Sequence, residues 1–223
     1  MGLVFSEVLS LPPVCCREIL RYAGMKTETP EVSSLLDAVL TEAAPVITGQ
    51  VCWQEFPITR ERDTLDLGFA CTDSLSLLRN LAGCDRIVVF AATLGLAFDR
   101  LIARYSRISP AKALLLQALG AERIEGLCDI FCDQIHREAE ARGLRTAPRF
   151  SPGYGDFPLE MQTDIFRILD CPRQIGLTLN ESLLMSPSKS VTAIIGLGPC
   201  PIRHPRTGCQ NCGKTDCLYR RTL

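Results

Sequence analysis

Apolar residues recur at helical spacing through the middle of the chain. Leu114, Leu115, Ala118, Leu119, Ile124, Leu127, Cys128, Phe131 and Ile135 share one stripe of a stretch that holds no proline after Pro110 and few β-branched residues. That period predicts a helix over about 110–142, opened by Ser109 and Pro110, and makes it the spine of the fold. Upstream, Pro13 followed by Val14-Cys15-Cys16-Arg17-Glu18-Ile19-Leu20 predicts a helix with proline in its first turn. Thr29-Pro30-Glu31 opens an amphipathic helix to about Ala43, with Thr29 as N-cap. Short strands are expected at 51–56 and 64–67 and a buried strand at 86–92, with a helix over 74–81 between the last two. A helix over 159–169 and strands near 176–179 and 190–197 complete the pattern. Helices and strands alternate, but their connections are irregular. The reading is α+β, with a mixed or largely antiparallel twisted sheet flanked by helices rather than a doubly wound one. The composition breaks only at Gly198-Pro199-Cys200-Pro201, which separates one domain over 1–198 from a Cys-rich tail over 199–223.

Composition narrows the function classes. With 223 residues, 47% of them hydrophobic, the chain can bury a sizeable core. Its 24 basic and 25 acidic side chains balance, and no run of like charge grips a phosphate backbone, so nucleic acid is not an expected partner. The start of the chain lacks the charged and apolar regions of a secretory signal, and the apolar runs are shorter than a membrane span. A cytoplasmic protein with no membrane partner is expected. Its 12 cysteines should then be reduced thiols, metal ligands or core fillers. Cys15, Cys16, Cys52, Cys71, Cys84 and Cys171 lie scattered in apolar segments, where core filling is expected for most of them. Cys128 and Cys132 are one helical turn apart on the long helix, again as core. The end of the chain differs. Cys209-Gln-Asn-Cys212-Gly-Lys-Thr-Asp-Cys217, with Cys200 upstream, has the tight spacing that lets thiolates hold zinc or an iron–sulfur cluster, and His204 is a substitute ligand. Gly196-Leu-Gly198 is not a dinucleotide fingerprint, because Pro201 stands where the third glycine belongs. With only His136 and His204 in the chain, no Ser/His/Asp set is visible.

The most informative segment reads Arg149-Phe-Ser-Pro-Gly-Tyr154. It is too rich in proline and glycine for a helix or a central strand, and suits a loop that presents side chains to a ligand. The Arg149 guanidinium is a planar fork that fits a carboxylate. Taken alone, the residues leave open a surface Arg149, a solvated Glu125 and a Tyr154 that merely anchors its loop.

Together with Ile175-Gly-Leu-Thr-Leu-Asn-Glu-Ser182 and Met185-Ser-Pro-Ser-Lys-Ser-Val191, this loop makes the chain resemble the activation domain of vitamin B12-dependent methionine synthase, in a free-standing form. The resemblance runs from about Ala118 to Gly196. The family's loop has the form Arg-Pro-x-Pro-Gly-Tyr; here Phe150 replaces the first proline and Ser151 sits at x. The resemblance implies a module that binds S-adenosylmethionine and supports reductive methylation of cob(II)alamin to methylcobalamin, with a reductant such as flavodoxin or ferredoxin supplying the electron. It implies that Arg149 takes the ligand carboxylate and that Glu125, placed by Glu-Gly-Leu-Cys-Asp-Ile-Phe, takes the ammonium. Ser151 and Gly153 belong to the ligand-binding loop, and Tyr154 is the catalytic candidate, lining the path between methyl donor and cobalt. Asp66, Asp73 and Glu55 are the candidates for the family's further acidic contact. Neither histidine sits in the Asp-x-His-x-x-Gly motif of a cobalamin holder, so the cobalamin is expected on a partner, a methionine synthase or related corrinoid protein. The alternative is a metal- or iron–sulfur-bearing electron-transfer adaptor that docks on a corrinoid protein without methyl transfer. A third possibility is a scaffold that keeps the fold and has lost the ligand.

Overall fold

The apolar runs at 86–92 and 190–197 become the two central strands of the sheet, and both are buried along nearly their whole length. The computed structural model describes residues 2–25, 27, 29–62 and 64–199. In chain order the elements are β1 (Phe5–Val8), α1 (Cys16–Tyr22), α2 (Pro30–Ala43), β2 (Gln50–Pro57), β3 (Thr59–Glu61), β4 (Thr64–Asp66), β5 (Cys71–Thr72), α3 (Leu75–Asn80) and β6 (Arg86–Thr93). They continue with α4 (Leu96–Ile108), α5 (Pro110–Ala141), β7 (Arg145–Thr146), α6 (Met161–Leu169), α7 (Cys171–Ile175), β8 (Thr178–Leu179), β9 (Met185–Ser186) and β10 (Ser190–Gly198). The main sheet has the order β1-β2-β6-β10-β7, and every pairing in it is antiparallel. The expected α+β class is what the chain forms.

Side-chain alternation divides the sheet between two cores. Val88, Phe90 and Ala92 of β6, with Ala193, Ile195 and Leu197 of β10, face α1, α2, α4 and α5. Ile87, Val89 and Ala91, with Ile194, face α3, α6, α7 and the small sheet β3-β4-β5. Because both faces are covered, the central strands read as continuous apolar runs and show no polar alternation. The spine helix α5 spans 32 residues, about 48 Å at 1.5 Å per residue. Its stripe is buried through Leu115, Leu119, Leu127, Cys128, Phe131 and Ile135, while Leu114 turns to solvent and Leu116 takes a buried place.

Several boundaries differ from the sequence reading for physical reasons. The first helix begins at Cys16, three residues after Pro13. Arg123 donates to the carbonyls of Pro12 (2.6 Å) and Pro13 (3.2 Å), and Glu122 accepts from the Cys15 N–H (3.0 Å), which holds this stretch extended against α5. Thr29 caps α2 by accepting from the Val32 N–H, as its position suggested. Ser109 makes no side-chain cap on α5, which Pro110 opens alone at its first position. The helix α4 was not anticipated, although Phe98, Leu101, Ile102 and Tyr105 have helical spacing, and Phe98, Ile102 and Tyr105 are buried. Edge strand β1 was also missed, since all four of its residues are exposed and leave no apolar signal. Of the six scattered cysteines, Cys52, Cys84 and Cys171 fill the core, whereas Cys15, Cys16 and Cys71 are exposed. Gly198 is glycine for close approach: a Cβ there would lie 2.2 Å from the Gly83 carbonyl oxygen.

The Glu122–Arg123 pair is almost fully buried, at 8% and 4% exposure, and ties the N-terminal segment to the spine. Replacing Arg123 with Met leaves a buried carboxylate without its cation and strands two carbonyls. Arg123→Met should therefore cost about 3–5 kcal/mol of unfolding free energy in urea titrations. Glu122→Gln combined with Arg123→Met should recover part of that loss, because no buried charge then lacks a partner.

Candidate functional site

The 149–154 loop starts as an extension of the sheet. Phe150 forms an antiparallel bridge with Ile194, exchanging both backbone hydrogen bonds at 2.9 Å, and Ala147 donates to the Gly196 carbonyl at 2.8 Å. Beyond Phe150 the chain turns away from β10. Gly153 adopts φ +88°, in the region that favours glycine, and its N–H is taken by the Phe157 carbonyl at 2.8 Å. Tyr154 donates its N–H to Ser151 (3.2 Å) and accepts from Phe157 (3.0 Å), so the loop is a closed turn over the buried Phe157 side chain. Asp156 fixes its far end. The carboxylate accepts from the Ser74 hydroxyl (2.6 Å) and from the N–H groups of Leu75 (2.9 Å) and Ser76 (3.0 Å), capping α3 across more than eighty residues of sequence. The Ser74 hydroxyl, followed by the Ser76 amide, holds the Asp156 carboxyl well below the usual carboxylate range.

Where the loop leaves β10, an open cleft of about 390 Å³ lies along the strand edge between α5 and α6. Arg149, Phe150, Ser151, Pro152 and Tyr154 line it from the loop. Glu125 comes from α5, Gln162 from α6, Met185 from β9, and Ser190, Val191 and Thr192 from the start of β10. Its size falls in the range of small-molecule sites. The strand edge adds backbone groups. Ile194 exchanges its N–H and C=O with Phe150, so Thr192, two residues earlier, directs its own toward the same side.

Arg149 is the electrostatic centre. Its Nη2 donates to Glu125 Oε2 at 2.6 Å and its Nη1 to Asp129 Oδ1 at 2.6 Å, so the fork grips two carboxylates one turn apart on α5. Nη1 also lies 3.9 Å from Cys132 Sγ. Partial burial opposes the charge on Arg149, but the surrounding acidic groups outweigh it and the pKa is raised. The guanidinium stays charged at every working pH. Cys128 is fully buried in the core, and burial pushes its thiol and that of Cys132 up. Both are neutral thiols at pH 7.

The structure thus brings Glu125, Arg149, Ser151 and Tyr154 to one cleft. Gly153 is not among the lining residues; it shapes the turn. Tyr154 is 66% exposed at the rim, with its ring centroid 6.4 Å from that of Phe150. Glu55, Asp66 and Asp73 do not line the cleft. Glu55 instead joins Arg86 of β6 and accepts a two-pronged bond from Arg142 at 2.9 Å, which locks the far end of α5 to the sheet. Asp66 accepts from the Gly68 N–H in a turn. His136 is exposed and sits beside Thr146 and Glu140 at the β7 end of α5. Asp129, Gln162 and Thr192 escaped the sequence reading. Asp129 was legible as the acidic residue four after Glu125, and Gln162 as a polar residue on the stripe of Ile165, Phe166 and Leu169. Cys200, Cys209, Cys212, Cys217 and His204 lie outside the described residues, and among the described residues no cluster of three or more His, Cys, Asp or Glu could hold a metal. No described helix is long and apolar enough to cross a membrane.

Fold and cleft together define a class: an α+β domain that presents a charged concave site at one edge of an antiparallel sheet. Residues 77–201, more than half of the chain, match the family described as vitamin B12 dependent methionine synthase, activation domain. The chain belongs to that family. A search of curated proteins returned no match. Among solved structures, one described as the crystal structure of the MetH reactivation domain bound to AdoHcy is similar in fold. It has a TM-score of 0.63 and 16% sequence identity, covering 87% of this chain and 78% of that one.

The Asp156 bond network gives a pH-dependent prediction. A carboxyl whose folded pKa is depressed stabilises fully above its unfolded value, about 3.9, and loses that contribution as pH falls through the folded value. The melting-temperature gap between the wild type and Asp156→Ala should therefore be level from pH 8 to 5 and narrow below about pH 4. A gap that widens on acidification would contradict the assignment.

Proposed function

We propose that this chain binds S-adenosylmethionine in the cleft at the β10 edge and supports reductive methylation of a cobalamin carried by another protein. One observation carries the reading: the Arg149 guanidinium and the Glu125 carboxylate meet on the wall of a cleft that Ser151 and Tyr154 also line. The fold likeness to a domain described as AdoHcy-bound supports it, and so does the family match. Arg149, Glu125 and Asp129 together carry one net negative charge. S-adenosylmethionine, with ammonium, sulfonium and carboxylate, carries one net positive charge.

The pair is suited to an amino-acid zwitterion. As the ligand enters, its carboxylate replaces Glu125 on one prong of the Arg149 fork and its ammonium approaches the Glu125 oxygen so released. Each protein charge exchanges one opposite partner for another, so no half-buried charge is left alone. Asp129 keeps the second prong and fixes the plane of the guanidinium. When bound, the ligand would supply a methyl group activated by its sulfonium; the partner's cobalamin, given one electron by a donor such as flavodoxin or ferredoxin, would be the acceptor, and the S–CH3 bond pair would stay on S-adenosylhomocysteine as the leaving thioether. Tyr154, exposed at the rim on a turn fixed by Gly153 and Asp156, lines the exit toward the partner and excludes water there. In the same reading Cys200, Cys209, Cys212 and Cys217 bind zinc or an iron–sulfur cluster, the C-x2-C-x4-C spacing being the supporting observation.

Titration calorimetry should show S-adenosylmethionine binding to the wild type and a roughly ten- to hundredfold weaker affinity for Arg149→Ala, the range for loss of a charged hydrogen bond. No heat and no thermal protection at millimolar ligand would refute the reading. Tyr154→Ala should leave that affinity within about threefold of wild type and slow methylcobalamin formation on a cob(II)alamin-loaded partner. For the tail, metal analysis of anaerobically purified protein should find zinc, or iron with acid-labile sulfide; metal-free protein with four reactive tail thiols would exclude both.

A further inference from the structure

Two polar side chains in the cleft have no use in the scheme above. Gln162 is 6% exposed and Thr192 2%, both line the cleft, and neither Gln162 Oε1 nor Thr192 Oγ1 has a hydrogen-bond partner among the described residues. Their positions are specific. Gln162 sits on the buried stripe of α6, three, four and seven residues before Ile165, Phe166 and Leu169, where an apolar residue would satisfy the core. Thr192 is two residues before Ile194 on β10, so its side chain shares the sheet face that α6 covers. By contrast the buried hydroxyl of neighbouring Ser190 is satisfied, by Thr93 Oγ1 and the Pro187 carbonyl, each at 2.8 Å. A buried polar atom without a partner is costly, so two of them on one cleft wall mark where a ligand supplies the missing bonds.

We propose that Gln162 and Thr192 read the edge of a 6-aminopurine and make the cleft selective for an adenosyl ligand; this rests on the reading of the cleft as an S-adenosylmethionine site. Glu125 belongs to α5 on one side of the sheet, and Gln162 to α6 on the other, with the β10 edge between them. A ligand whose amino-acid end meets Arg149 therefore crosses the strand edge and delivers its other end to Gln162 and Thr192. The 6-amino group of adenine is a donor beside a ring-nitrogen acceptor. The Gln162 carboxamide presents an acceptor oxygen and a donor N–H₂, the complement of that edge, and the Thr192 hydroxyl serves the ring nitrogen it leaves unpaired. Phe150 and Met185, both on the cleft wall, supply flat and polarizable surfaces for the ring faces.

The test uses the full chain and calorimetry with three ligands: S-adenosylhomocysteine, its analogue with hydrogen in place of the 6-amino group, and its 2′-deoxy analogue. The wild type should bind the adenosyl compound about ten- to hundredfold more tightly than the analogue lacking the amino group. In Gln162→Leu that preference should fall to within about threefold, with a melting temperature no lower than wild type, since an unpartnered polar atom has been removed. Thr192→Val, a second and sterically conservative variant, should weaken the adenosyl compound and the analogue lacking the amino group alike, because the ring nitrogen it serves is present in both, and leave the preference between them in place. Equal wild-type binding of the first two ligands, or a preference that survives in Gln162→Leu, overturns the proposal. So does a Gln162→Leu variant whose lost discrimination is against the 2′-deoxy compound, which would place the ribose there instead. Failure of the wild type to bind any of the three overturns the underlying reading of the cleft as well.

Discussion

The burial of β6 and β10 on both faces is the constraint on which the rest of the structure depends. Neither strand offers a polar face to water, so the sheet needs a cover on each side, and each cover is a hydrophobic core of its own. Helix α5 with α1, α2 and α4 supplies one, and α6 and α7 with α3 supply the other. The covers cannot meet around the β10 edge, because the sheet stands between them. Phe150 fills part of that edge by bridging Ile194, and where the loop departs, the strand start at Ser190 to Thr192 is left facing a cleft. The site is what remains when two cores share one sheet and the fifth strand, β7, is only two residues long.

Charges along α5 then set which distant segments reach that spine. Glu122 and Arg123 hold the segment before α1, Glu125 and Asp129 hold Arg149, and Arg142, just past the helix end, holds Glu55 on β2. Such pairs contribute little net stability once desolvation is counted, but a misplaced register leaves them unpaired, which makes them devices of specificity. The Arg149 contact differs from the buried Glu122–Arg123 pair in being partly open to solvent, at 24% and 37% exposure, on the cleft that Ser151 and Tyr154 also line. Its partners can be exchanged without being stranded, and that separates a site from a staple.

How much of this the sequence reveals follows from the range of each interaction. The long helix, the α2 cap and the two central strands rest on local periodicity and capping chemistry, and are readable within a dozen residues. The Arg149 loop is readable because its proline and glycine content excludes regular structure, and the ligand proposed for it because the motif resembles a known one. Strand β1 is invisible because an exposed edge carries no apolar alternation. The late start of α1 is invisible because Pro12 and Pro13 are held extended by Arg123, more than a hundred residues away. The Arg149–Glu125 pairing combines two residues that were each identified, but their joining depends on how β10 seats the loop beside α5. Gln162 is the instructive miss. Its place on the α6 stripe is a local signal, yet only the fold shows that its carboxamide oxygen is buried without a partner among the described residues.

The exposure of Tyr154 and the fixation of its loop pull in opposite directions. A side chain two-thirds open to solvent gains little from burial, yet the backbone beneath it is closed by three hydrogen bonds, a left-handed glycine and a carboxylate cap on α3. Self-stabilisation does not require that investment at an exposed ring. Presentation does: a group that must meet a second surface loses less entropy on contact when its backbone is already fixed. The cleft is pre-organised on the same principle, with Arg149 clamped by two carboxylates before any ligand arrives. What the domain leaves open is the side facing solvent above Tyr154, and in the proposed function that is the side from which the cobalamin-bearing partner completes the site.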